Sequence, residues 1–169
     1  MDFDIREIRG YYDSDLRDYD FNALKKIGIS LENANFMIGI GVPEEFADFV
    51  FYESNAFQKL VIGDVRVIKI GHFSFLQYGL YVKEGSDELF TSSSYHKPQI
   101  YLLNKNLRTF FLFQLIRNKV AMKMIQNGEY TSYNYAIKLR KVYEQIDPVA
   151  MKDVEGYWSH LIEDYETGL

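Results

Sequence analysis

Apolar positions change their period several times along the chain, and each change marks an element. Near the start, Leu16, Tyr19, Ala23, Leu24 and Ile27 fall close to helical spacing and Gly28 stops the run. Ser30 is placed to cap a short helix through "SLENANFMIGIGVP", which Gly39, Gly41 and Pro43 then punctuate. "EFADFVFYE" alternates, predicting a strand from about Phe46 to Glu53. "KLVIGDVRVIKIGHF" predicts two strands turning near Gly63-Asp64, with Val65, Val67 and Lys69 on one face and Arg66, Ile68 and Ile70 on the other. "YGLYVKEGSDELFTSS" predicts a hairpin closed at Glu84-Gly85-Ser86, and "QIYLL" a further strand after Pro98.

The period then turns helical. In "IYLLNKNLRTFFLFQ" a strand has to end and a helix begin, and Asn104 or Asn106 can accept from the first free N–H groups. The helix runs from Leu107 to about Gln126, and its first half is apolar around most of its circumference, which predicts a central rather than a surface position. Gly128 breaks it. A second helix, about 134–146, carries Ala136, Leu139, Val142, Tyr143 and Ile146. Asp147-Pro148 reads as a cap followed by a first helical residue, which predicts a last helix over about 150–166 with Val154, Tyr157, Trp158, Leu161, Ile162 and Tyr165 inward. No repeat, low-complexity tract or long linker divides the 169 residues. The expectation is one α+β domain over 1–169: a mixed or antiparallel central sheet with flanking helices, and an unassigned segment at 1–30.

Composition adds three points. Hydrophobic residues make up 47 % of the chain, enough for a sizeable core, and the 14 tyrosines and 13 phenylalanines predict rings at its edge or on a binding surface. The absence of cysteine removes disulfides, thiolate catalysis and Cys-ligated zinc, and fits a reducing compartment. The opening "MDFDIREIRG" lacks the apolar stretch of a secretory leader, and no apolar run approaches the roughly 18–20 residues that cross a bilayer, so a cytoplasmic protein with no membrane partner is expected. Charge is strongly segregated. Residues 1–20 hold seven acids to three bases, 101–142 eight bases to one acid, and 143–169 seven acids to one base. This predicts an acidic tail folded against the basic helical segment, or an acidic surface that meets a basic partner. The net charge of −5 disfavours nucleic acid.

Chemistry-bearing motifs are weak. Gly39-Ile40-Gly41 starts like a dinucleotide fingerprint, but Glu44 stands where the third glycine belongs, with Pro43 before it. His72, His96 and His160 form no paired-histidine motif, and His160 with Glu163 and Asp164 reads as a solvated helix face. Ser92-Ser93-Ser94 beside His96 lacks a nucleophile elbow. Glu44 and Glu45 are adjacent, which suits solvent rather than acid–base work. The chain is therefore expected to be no enzyme and to need no cofactor or metal.

Three segments, in order, resemble the SUKH superfamily of immunity proteins: "IGVPEEFADF", then "VRVIKIGHF…YGLYVKEGSDELFTSSS…IYLLNKNLRTFFLFQLI", then "LRKVYEQIDPVAMKDVEGYWSHLIEDYETG". The last is similar to the close of the fourth SUKH subgroup, with an I-D-P step at Ile146-Asp147-Pro148 and a Tyr-Trp pair at Tyr157-Trp158. The resemblance covers about 36–166. Residues 1–30 and the lysine-rich helix extension match nothing in it, and Val42 replaces the family's Leu. It implies a non-catalytic protein that blocks a cognate polymorphic-toxin domain, of nuclease or deaminase type, by direct contact. It also implies structural roles for Asn104, Phe110, Phe111 and Trp158. Such a toxin domain carries a basic cleft, and an acidic protein complements it. Glu44, Glu45, Asp87 and Glu88, all expected to be exposed, and Tyr78, Tyr81 and Tyr95 are the candidate contacts. The alternative is a small-ligand or nucleotide-handling domain with a pocket near His72, His96 and neighbouring tyrosines.

Overall fold

The computed structural model describes residues 3–75, 78–92, 99–129 and 132–168. Its strands are β1 (Glu45–Phe46), β2 (Phe49–Phe51), β3 (Gln58–Ile62), β4 (Val65–Phe73), β5 (Gly79–Lys83), β6 (Leu89–Ser92) and β7 (Ile100–Asn104). They form one antiparallel sheet in the order β1-β2-β4-β5-β6-β7. β3 joins β4 on the flank that β2 also uses: β3 pairs with Val65–Lys69, and β2 with Gly71–Phe73. A bulge between Lys69 and Gly71 separates the two halves of β4. Gly71 is required there, because a Cβ at this position would overlap the Val50 carbonyl oxygen.

The single strand expected over Phe46–Glu53 is instead the β1–β2 hairpin. Phe46 and Phe49 are both buried, and residues three apart cannot share one face of a continuous strand. A two-residue turn at Ala47-Asp48, with Ala47 at φ 51°, sets them directly opposite each other.

The two faces of β4 separate as the alternation predicts. Ile68 and Ile70 join Leu80, Val82, Leu89 and Leu103 under the helices, in the main core. Val67, Ile62 and Tyr81, with Val65, Phe90 and Ile100 packed on them, form a small second cluster on the other face.

The helices are α1 (Phe21–Ile27), α2 (Leu31–Gly39), α3 (Leu107–Gln126), α4 (Tyr133–Ile146) and α5 (Tyr157–Thr167), preceded by a 3-10 turn at Ile5–Tyr11. Ser30 and Asn106 cap α2 and α3 through their side chains, and Gly28 closes α1 at φ 109°. As expected, the first half of α3 is enclosed, with Phe110, Phe111 and Phe113 all fully buried. Phe111 lies 5.1 Å from the Phe36 ring and 5.5 Å from that of Phe51, and Phe113 stacks on Tyr143 at 3.8 Å.

The last helix starts at Tyr157, not near 150. Residues 148–152 form turns, and Asp153 closes a further turn by accepting from the Glu155 and Gly156 amides. Pro148 is therefore not a first helical residue, and Asp147 has a different task. Fully buried, its Oδ2 accepts from Asn104 Nδ2 (3.2 Å), the Lys105 amide (2.8 Å) and Thr109 Oγ1 (3.1 Å), and its Oδ1 from the Ala150 amide (3.3 Å). Asn104 Oδ1 in turn accepts from Trp158 Nε1 at 2.9 Å. Of the two asparagines at the junction, then, only Asn106 is the cap. Asn104 ties β7 to α5 through a buried polar network.

Candidate functional site

Leu16 and Tyr19 do not extend the helix that their spacing suggested, because Asp20 caps α1; residues 13–20 instead run along the β1–β2 hairpin. Leu16 makes a bridge to Pro43, the Glu44 amide donates to the Asp15 carbonyl (2.8 Å), and Ser14 Oγ donates to the Glu45 carbonyl (2.9 Å). Arg17 Nε donates to the Phe51 carbonyl (2.9 Å), and the Tyr19 hydroxyl to that of Tyr52 (2.7 Å). Burial pushes the Tyr19 phenol well above its ordinary pKa, so it stays a donor. This pairing gathers six carboxylates: Asp13, Asp15, Asp18, Glu45 and Glu53 exposed, and Glu44 half-buried. Arg17 pairs with two of them, lying 3.4 Å from Glu44 and 3.5 Å from Glu53.

The predicted contact residues do not converge. Glu45 and Asp87 are exposed as expected, but Glu44 is paired with Arg17, and Glu88 lies half-buried 3.4 Å from Lys83. Asp87 and Glu88 belong to the β5–β6 turn, which docks on the α1–α2 corner through Gly85 N to Gly28 O (2.8 Å), away from Glu44 and Glu45 on the β1 edge of the sheet. Tyr81 is only 6 % exposed: its ring covers Gly79, where a Cβ would overlap it, so it is a packing residue rather than a contact. Tyr78 is half-buried against Phe73. Tyr95 and His96 lie outside the described residues.

His72 sits with its Nδ1 2.7 Å from the Tyr52 hydroxyl. Burial, with Lys69 second, lowers its pKa. It lines none of the three hollows described below. His160 pairs with Glu155 (3.3 Å) and Glu163 (3.2 Å), and no three His, Cys, Asp or Glu side chains among the described residues are grouped to hold a metal ion.

Among the described residues, no ion pair joins the acidic tail to the basic helical segment, the first of the two arrangements that the charge pattern suggested. Among the described residues, the bases of α3 pair with Glu7 and Glu32 near the start of the chain. Lys119, Lys123 and Lys138 surround a hollow of about 180 Å³ between α3 and α4. No helix among the described residues is long and apolar enough to cross a membrane.

Two other hollows adjoin each other where β4, β5, β6 and β7 meet the start of α5. The larger, about 400 Å³, is lined by Phe73, Phe75, Tyr78 and Tyr157 with Asp48. The smaller, about 310 Å³, shares Thr91 and Tyr157 with it and adds Tyr101, Asp153 and Glu155. Burial pushes the Tyr157 phenol up to about 12, with Arg117 pulling it back. The Tyr157 hydroxyl and Gln114 Nε2 are buried with no hydrogen-bond partner among the described residues.

Sequence reasoning missed the acids at 13–18 and both aromatic hollows. The excess of acids at 1–20 was the available signal for the first. The second depends on contacts between Phe73 and Tyr157, which no local pattern carries. No family model, curated protein or solved structure matches the chain.

Proposed function

We propose that the chain is a non-catalytic immunity or binding protein that neutralises a basic toxin domain by direct contact, as its resemblance to the SUKH superfamily implies. The observation that carries this reading is the pairing of residues 13–18 with the β1–β2 hairpin, which brings two acid-bearing stretches together, with Arg17 paired to Glu44 and Glu53. Backbone hydrogen bonds hold the main chain that carries these acids in place before any partner arrives, which reduces the ordering cost of association. A one-signed surface of this kind accelerates encounter with a basic domain and disfavours acidic competitors.

The test is co-expression with a toxin domain encoded beside this gene, followed by stopped-flow association of the purified pair. Protection of the host and a complex of the two chains are expected. The association rate should fall about tenfold or more between about 0.05 and 0.3 M salt. Asp15→Lys with Glu45→Lys should slow it further in a folded protein. Absence of both protection and complex refutes the immunity reading. A complex whose association rate ignores salt and the double reversal refutes the acidic surface as its route.

A further inference from the structure

We infer that the larger aromatic hollow is a guanidinium site that receives an arginine side chain of the basic partner. This inference rests on the reading of the chain as a binding protein. Phe73 forms a floor with two walls: the Tyr157 ring at 5.7 Å and 61°, and the Tyr78 ring at 6.4 Å and 81°. Edge-to-face rings lining one open hollow give a cation an aromatic surface to rest on. Phe75 stands on the rim, 86 % exposed.

The polar groups point the same way. Thr91 Oγ1 already donates to the Gly79 carbonyl (3.2 Å), and Ser92 Oγ accepts from the Gly79 amide (3.0 Å). Thr91 Oγ1 has thus committed its one proton and faces a ligand only as an acceptor, and the charged groups beside it are carboxylates. Asp48 lines this hollow, and Asp153 and Glu155 line the one that adjoins it. No lysine or arginine among the described residues lines either. Arg117 acts on Tyr157 and on Asp48 by charge, but it lines neither hollow and forms no ion pair within 4 Å among the described residues. About 400 Å³ accommodates an arginine head with its stem.

Arginine fits better than lysine. Its plane can stack on the Phe73 floor while its edge N–H groups reach the Asp48 carboxylate, and its weaker hydration makes entry into an aromatic site less costly. Asp48 lies three residues past Glu45 on the same hairpin, so the hollow continues the acidic surface. That surface would steer a basic partner, and the hollow would hold one of its side chains.

The experiment titrates the full chain with N-acetyl-arginine amide, using N-acetyl-norleucine amide as the apolar control, and follows tyrosine and phenylalanine ring resonances by NMR. Saturable shifts of Tyr78, Tyr157 and Phe73 with the arginine compound, at least about fivefold tighter than with norleucine, are expected. Asp48→Asn should weaken arginine binding by about tenfold, as loss of a charge-assisted bond predicts, while leaving the amide spectrum folded. Equal binding of norleucine, no shift at all, or indifference to Asp48→Asn would overturn the inference. The titration needs no toxin, so failure of the immunity reading appears separately, as absent protection with arginine binding intact.

Discussion

Asp147→Ala probes the network that joins the last strand to the last helix. The carboxylate accepts four hydrogen bonds in a fully buried setting, from Asn104, Lys105, Thr109 and Ala150. Removing it leaves three donors without an acceptor, since the Thr109 hydroxyl can turn to the Asn106 carbonyl at 3.1 Å, and each unmet buried donor costs about 1–3 kcal/mol. A water entering the vacated space can satisfy one or two of them, so the net loss should be about 3–5 kcal/mol. Asp147→Asn keeps the volume and one acceptor oxygen but turns an amide toward the same donors, and should cost about 1–3 kcal/mol. Trp158 is the only tryptophan and donates into the network through Asn104, so its fluorescence during urea unfolding reads both the global transition and the local environment. A double-mutant cycle with Asn104→Ala should return a coupling of about 1–2 kcal/mol. A loss below about 1 kcal/mol for Asp147→Ala, with coupling near zero, would mean the network contributes nothing net and would refute the reasoning.

Three further perturbations test the fold. Phe111→Ala removes a ring enclosed by Phe36, Phe46 and Phe51 and should cost about 3–5 kcal/mol by urea unfolding, whereas less than about 1 kcal/mol would place α3 at the surface. Asn106→Ala deletes the cap on the Thr109 amide (2.8 Å) and should cost about 0.5–2 kcal/mol without altering partner binding, and loss of binding by a folded variant would contradict the cap assignment. Because burial lowers the pKa of His72, the folded chain binds fewer protons there than the unfolded chain. Its contribution is present above the ordinary value of 6.5 and is lost as pH falls, so His72→Gln should flatten the decline in urea midpoint between about pH 8 and pH 5, and an unchanged slope would contradict this.

Local chemistry made part of this legible. Ser30, Gly28 and Asn106 announce helix ends because capping involves residues only two or three positions apart. The apolar run at Leu107–Ile116 has few possible fates besides the core. The Ala47-Asp48 turn stayed hidden because alanine does not advertise a positive φ, and the alternation of "EFADFVFYE" passed for one strand. Asp147 reads as a helix cap because the groups that claim its Oδ2 lie about forty residues upstream. Tyr81 falls on the outward phase of its strand, yet the neighbouring Gly79 lets its ring fold flat over the backbone. In the acidic surface, Glu44 and Glu45 stand out from the sequence as adjacent acids after Pro43, but the acids at 13–18 join them only through long-range pairing.

The Ile5–Tyr11 turn packs on α3, through the ion pair of Glu7 with Lys119 and the contact of the Tyr11 hydroxyl with Met122, across more than a hundred residues of sequence. During synthesis that segment leaves the ribosome well before its docking site exists. At about 5–20 residues per second the delay is several seconds or more, and loop closure across so long a span is itself slow. The acidic segment that follows faces a shorter wait, since its partner β1–β2 hairpin comes soon after, but that hairpin in turn needs β4 and the Phe110–Phe111 pair to bury Phe49 and Phe51. The acidic surface proposed to meet a partner is therefore assembled late, and a chain stalled before Phe110 would carry the acids without the packing that arranges them.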